Sequence, residues 1–128
     1  MADQTWEVRK PLGILVIRQE VLTALVQRAV QRVAGAQPLR SPGIMGIFSG
    51  PEDATQITFR RDGVDVDLRI AVVQGYAVHE VARGVQRAVR EDLEGLAGIP
   101  VGRVDVSVRQ VVPAQEALVL EEGEDGEG

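Results

Sequence analysis

The stretch from residue 63 to residue 112 does most to limit what this chain can fold into. An alternating segment, G-V-D-V-D-L-R-I-A-V, runs into an amphipathic stretch and then into a second alternating segment, R-V-D-V-S-V-R-Q-V-V. Side chains alternate across a pleated strand, so Val64, Val66, Leu68, Ile70 and Val72 share one face while Asp65, Asp67 and Arg69 take the other. Between the two segments, Val78, Val81, Ala82, Val85, Ala88, Val89 and Leu96 recur at steps of three and four, which predicts a helix over 77–97. Gly98-Ile99-Pro100 ends it: glycine takes the left-handed position, Ile packs back, and Pro blocks continuation. Gly84, inside the helix, is expected to admit a close neighbour at a cost of about 1 kcal/mol relative to Ala. The last strand is expected over 103–112, with Val104, Val106 and Val108 facing the core.

Upstream, the continuous apolar run L-G-I-L-V-I at 12–17 reads as a strand covered on both faces. A helix over 19–34 follows, with Val21, Leu22, Leu25, Val26, Ala29 and Val33 as its apolar stripe and Gly35 as its stop. Residues 56–60 form a further strand, joined to the long one by an Asp62-Gly63 turn with positive φ at both positions. The element order is β-α-β-β-α-β. The economical arrangement is an α+β two-layer sandwich, a four-stranded, mainly antiparallel sheet with both helices on one face. Around it, residues 1–11 read as a flexible arm, 12–113 as one domain, 36–55 as a long central loop and 114–128 as a disordered acidic tail.

Composition narrows the function classes. A chain of 128 residues sustains one domain with a real core. It contains no cysteine, which excludes disulfides, thiolate metal sites and cysteine nucleophiles. Acid precedes any apolar run at the N-terminus, and no apolar segment approaches the roughly 20 residues that span a bilayer, so the expected compartment is the cytoplasm. The net charge of −5 is a property of the tail: six of the 19 acids fall between 116 and 127, where there is no base. The remaining body is nearly neutral, unlike a nucleic-acid binder.

Three constellations bear on chemistry. His79 and Glu80 are adjacent in the second helix; neighbours there point about 100° apart, and Glu80 suits the positive end of a helix dipole, so the pair reads as structural. Asp65, Asp67 and Asp105 share the polar sheet face, where Arg69 and Arg109 are expected to pair with them across strands in place of a metal. Arg83, Arg87 and Arg90 form a helical stripe able to hold phosphate, lipid headgroups or an acidic partner; Arg87–Glu91 and Arg90–Glu94 are expected as ordinary i,i+4 pairs, leaving a solvated face. No phosphate-binding, zinc-protease or nucleophile-elbow motif occurs. No catalytic, cofactor or metal residue is therefore assigned, and no enzyme is expected.

The pieces G-I-L-V-I-R-Q-E-V, R-V-A-G, V-D-V-D-L-R-I-A-V, Y-A-V-H-E-V-A-R-G-V-Q-R-A-V and L-A-G-I-P-V-G-R-V-D-V-S-V, in this order and spacing, resemble the alkaline-shock and general-stress family of bacterial envelope stress response proteins. The chain departs from the family in having Arg18 where a Ser-like helix cap is usual, and in its central loop. The resemblance implies a non-catalytic cytoplasmic accessory protein without cofactors. It would self-associate as a homo-oligomer or dock on membrane-anchored partners to maintain the envelope. The alternatives are a regulatory partner of a soluble lipid-metabolic enzyme and an RNA-binding module, the latter disfavoured by a sheet face without stacking aromatics. Candidate contacts are the apolar island in the loop, Ile44, Ile47 and Phe48, and then the arginines at 83, 87 and 90.

Overall fold

In the computed structural model, residues 5–39 and 54–115 are described. The elements run β1 (Thr5–Lys10), β2 (Gly13–Arg18), α1 (Gln19–Gln31), β3 (Ala36–Pro38), β4 (Thr55–Arg60), β5 (Gly63–Val73), α2 (Val78–Leu96) and β6 (Val101–Val112). The α+β expectation holds, with β1 and β3 as strands added to the expected order.

β5 is the spine. Its expected inward face is buried throughout, Val64, Val66, Leu68, Ile70 and Val72 each being at most 1% exposed. β4 pairs antiparallel with its first half, from Arg60↔Gly63 to Thr55↔Leu68, and β3 pairs antiparallel with its end, from Pro38↔Ile70 to Ala36↔Val72. β6 runs parallel to β5 from Val64↔Val101 to Val73↔Val112. That direction follows from α2, which carries the chain back before β6 begins. Both helices share one core with the inward face of β5: Leu22, Val26, Ala29 and Val30 from α1, and Val81, Val85, Ala88, Val89 and Leu93 from α2.

Several glycines mark close approaches. A Cβ on Gly63 would sit 2.4 Å from the carbonyl oxygen of Pro100, which accepts the backbone N–H of Val64 at 3.0 Å. Arg60 pairs with Gly63, so the two-residue loop of this hairpin is Arg61-Asp62, one position earlier than expected, and among the described residues only glycines have positive φ. A Cβ on Gly84 would lie 3.1 Å from Val33 Cγ1, so the helical glycine does admit α1 closely. The end of α2 is as expected: Gly98 has φ +71°, the N–H of Ile99 donates to the Leu93 carbonyl at 3.1 Å, and Ile99 is fully buried.

Other expectations are corrected. Val21, Val78 and Leu96 are 49, 43 and 67% exposed, while Val30 and Leu93 occupy the core in their place. Each exposed residue sits in the first or last turn of its helix, where the stripe has run past the sheet. Thr5–Lys10, expected within a loose arm, is a strand paired with β2 from Thr5↔Arg18 to Lys10↔Gly13. The run at 12–17 is not covered on both faces: β1 and β2 make a two-stranded sheet separate from the main one, and Leu12, Ile14, Leu15 and Val16 are exposed. Only Trp6 and Ile17 of this hairpin pack against the core.

Candidate functional site

The island containing Ile44, Ile47 and Phe48 lies outside the described residues. The arginine stripe lies within them, and it forms one wall of a groove. Arg83, Gln86, Arg87 and Arg90 of α2 face Arg103, Val104 and Asp105 of β6 across an open cavity of about 480 Å³. The wall is fixed by polar anchors. Gln86 Nε2 donates to the Val104 carbonyl at 2.9 Å. Arg90 donates from Nη1 to the Val101 carbonyl at 2.7 Å and from Nη2 to the Gly102 carbonyl at 3.1 Å. Glu94, 3.6 Å from Arg90, accepts the Val101 N–H at 3.1 Å, so the expected Arg90–Glu94 pair also holds the start of β6.

The expected Arg87–Glu91 pair is replaced. Arg32, at the end of α1, reaches across to α2 and binds Asp92 at 2.8 Å and Glu91 at 3.4 Å. Hydrogen bonding to Asp92, then to Glu91, raises the Arg32 pKa above its ordinary value. Glu91 is thereby turned toward α1, and Arg87 and Arg83 have no ion-pair partner among the described residues. The opposite wall carries its own neutralised pair: Arg103 Nη2 donates to Asp105 Oδ2 at 2.6 Å, and that bond raises the Arg103 pKa.

On the polar sheet face, two of the three acids, Asp65 and Asp105, are paired with Arg60 and Arg103. Asp65 accepts from Arg60 Nε at 2.7 Å and from the Arg103 backbone N–H at 3.0 Å, and Asp105 is held by Arg103. Arg109 donates to Ser107 Oγ at 2.7 Å. Adjacent sequence neighbours on a strand and across a hairpin are nearer than the residues expected, and they win. Asp67 and Asp105 stand side by side in the parallel register. No group of three or more His, Asp or Glu is gathered in metal-binding proximity among the described residues. His79 and Glu80 are both exposed in the first turn of α2, away from any wall opposite.

A second surface escaped the reading of the sequence. The hairpin β1–β2 presents Leu12 fully exposed, with Ile14, Leu15 and Val16 about half exposed, and Val21 of α1 continues the apolar surface in sequence. The signal was present: Trp6 and Val8 alternate with Glu7 and Arg9, and Pro11-Leu12 separates two strand-like segments by two residues. A concavity of about 620 Å³ is lined by Gln19, Thr23, Gln27 and Gln31 among others, with α1 as its one described wall.

The described residues thus present two exposed surfaces on a two-layer α+β body, a basic groove and an apolar hairpin. The chain belongs to the alkaline shock protein 23 family, which is described by a cell envelope-related function and which it matches over residues 7–113. The match begins inside β1, within the segment first read as a loose arm. No curated protein matches the chain. Among solved structures it is similar to a variant of the MamM CTD, with 18% identity and a TM-score of 0.46, over 71% of this chain and 95% of that one. No helix among the described residues is long and apolar enough to cross a membrane.

Proposed function

We propose that this protein is a non-catalytic accessory protein of the cell envelope, acting from the cytoplasmic side by self-association or by docking on a membrane-anchored partner. The observation that carries this reading is the hairpin β1–β2, whose apolar residues stand in solvent on a two-stranded sheet. A two-stranded sheet is marginal in water alone, and strand edges left unpaired are templates for another chain. A surface of this kind gains by being covered. The island with Ile44, Ile47 and Phe48 belongs to the same proposal on sequence grounds.

The test is retention of partners from gently solubilised native membranes, comparing the natural chain with Leu15→Asp. Recovery of a membrane-anchored protein by the natural chain, and its loss with the variant, is the expected result. Recovery of the same proteins by both overturns the hairpin as the docking surface. Recovery of a soluble lipid-metabolic enzyme alone replaces the envelope partner with a metabolic one. The RNA reading has little support here, since the outward residues of β5 and β6 around Asp67, Arg69, Asp105 and Arg109 include no aromatic ring.

A further inference from the structure

We propose that the groove between α2 and β6 is a binding site for a phosphate-bearing anion, with Arg83 and Arg87 as its ligands. This goes beyond the docking role of the hairpin and stands on different residues.

The groove carries charge that no described residue compensates. Arg83 and Arg87 are one helical turn apart, about 6 Å along the axis, and like charges at that spacing repel. Surface helices usually offset such pairs with an acid three or four residues away. Glu91 is that residue for Arg87, yet Arg32 holds it at 3.4 Å together with Asp92 at 2.8 Å. Glu80, three residues before Arg83, makes no ion pair with it among the described residues. The groove's one acid, Asp105, is bound by Arg103 at 2.6 Å. Arg90 spends its guanidinium on the carbonyls of Val101 and Gly102 and on Glu94. Among the described residues, two guanidinium forks are therefore uncommitted, side by side, on a wall whose remaining polar groups are satisfied.

Geometry then selects the ligand. A carboxylate carries a single negative charge, so it offsets one guanidinium and leaves the second uncompensated. A phosphate monoester offers three terminal oxygens in a tetrahedral array and a charge of up to about −2, so two forks can each donate to it and its charge offsets both. The wall is also built to keep its shape. Gln86 lies between the two arginines in sequence and ties α2 to β6 through the Val104 carbonyl, while Arg90 and Glu94 tie the far end. A cavity of about 480 Å³ leaves room for whatever carries the phosphate. The chemistry is shared by soluble phosphate monoesters and by the monoester headgroup of phosphatidic acid, and the experiment separates them.

The full-length chain labelled with ¹⁵N is titrated with inorganic phosphate against chloride at equal ionic strength, following backbone and arginine Nε signals. Saturable shifts centred on Arg83, Arg87 and Val104 with phosphate, absent with chloride, are expected. Arg83→Gln with Arg87→Gln should weaken binding at least tenfold, while Arg28→Gln on α1 leaves it unchanged. Both positions are solvent-exposed, so unaltered signals from Leu68 and Leu93 will show that the double variant is folded. Co-sedimentation with phosphatidic acid vesicles, against phosphatidylcholine vesicles, is the second arm. Pelleting with the anionic vesicles that the double variant loses assigns the headgroup; phosphate binding without pelleting assigns a soluble ligand. Absence of saturable shifts and of pelleting, or equal binding by the double variant, overturns the proposal. Leu15→Asp must leave phosphate binding intact, so that failure of the hairpin reading and failure of this one are told apart.

Discussion

The unit β5–α2–β6 and the hairpin β1–β2 are both rich in Val, Ile and Leu, yet they meet water in opposite ways. In the first, apolar residues alternate with charged ones at the period of the element, and each inward residue of β5 is at most 1% exposed. In the second, the apolar residues are consecutive, and Ile14, Leu15 and Val16 are 56, 54 and 48% exposed on successive positions. A consecutive run gives a strand two apolar faces, and it is buried only if something covers both. The helices cover one face of β5, and within the described residues only Trp6 and Ile17 of the hairpin pack against that core. Periodicity therefore says which residues will be buried by the chain itself, whereas an unbroken run says only that burial is wanted. In the proposed docking role, the hairpin's cover comes from a partner.

The comparison predicts unequal responses to mutation, and the largest belongs to the core unit. Leu93 is fully buried, and it also accepts the hydrogen bonds that end α2 through its carbonyl. Leu93→Ala is expected to cost about 2–5 kcal/mol. At about 4–8 °C per kcal/mol for a domain of this size, the melting temperature falls by on the order of ten degrees or more. Thermal denaturation followed by circular dichroism measures it, and a fall of only a degree or two would mean that α2 is not committed to the sheet. Next comes Gly63→Ala. Its Cβ would meet the Pro100 carbonyl oxygen at 2.4 Å, a backbone atom that cannot swing aside. A loss of about 1–3 kcal/mol in urea denaturation is expected, with faster amide exchange at Val64, whose N–H donates to that carbonyl.

Gly84→Ala sharpens the point in the opposite direction. The contact here is Val33 Cγ1 at 3.1 Å, the tip of a half-buried side chain just past the end of α1. A shift of a few tenths of an ångström relieves it, and the helix gains about 0.5–1 kcal/mol of propensity. A small net stabilisation, under about 1 kcal/mol, is expected from the same denaturation experiment. Marked destabilisation would show that α1 and α2 are packed more rigidly than Val33 implies.

How far the fold could be read from sequence follows the same division. β5, the Gly98-Ile99 stop of α2 and the close approach at Gly84 were legible because each depends on local pattern or on a residue with one conformational use. The strand β3 was not, because three residues carry no period, and Ala36, Gln37 and Pro38 become a strand only where the end of β5 offers an edge. Leu93 was missed for a geometric reason: a stripe extrapolated to Leu96 runs beyond the sheet, and the helix buries what lies over β5 and β6. At the candidate site, the arginine stripe was visible at helical spacing. Its electrostatics were not, since Glu91 is taken by Arg32, nearly sixty residues away in sequence. Likewise, the β6 wall with Arg103 joins the groove only through tertiary packing.

The smallest effect on stability is the most telling for function. Leu15 is about half exposed, on β2, opposite Val8 of β1, and its neighbours Ile14 and Val16 are exposed as well. An acid placed there loses little burial, so Leu15→Asp should change unfolding free energy by no more than about 0.5 kcal/mol, as for other surface positions. Any self-association through the hairpin should respond far more, because a carboxylate brought into an apolar interface must be desolvated without a partner. Sedimentation velocity of the natural chain and the variant, over a range of concentrations, separates the two quantities. A concentration-dependent rise in sedimentation coefficient that vanishes in Leu15→Asp, at unchanged melting temperature, identifies the hairpin as the surface that copies share. A large fall in melting temperature would instead make the hairpin part of the monomer's own core. An unchanged melting temperature with no association by either chain would leave a partner of another kind as the hairpin's cover. The retention experiment on native membranes decides that case.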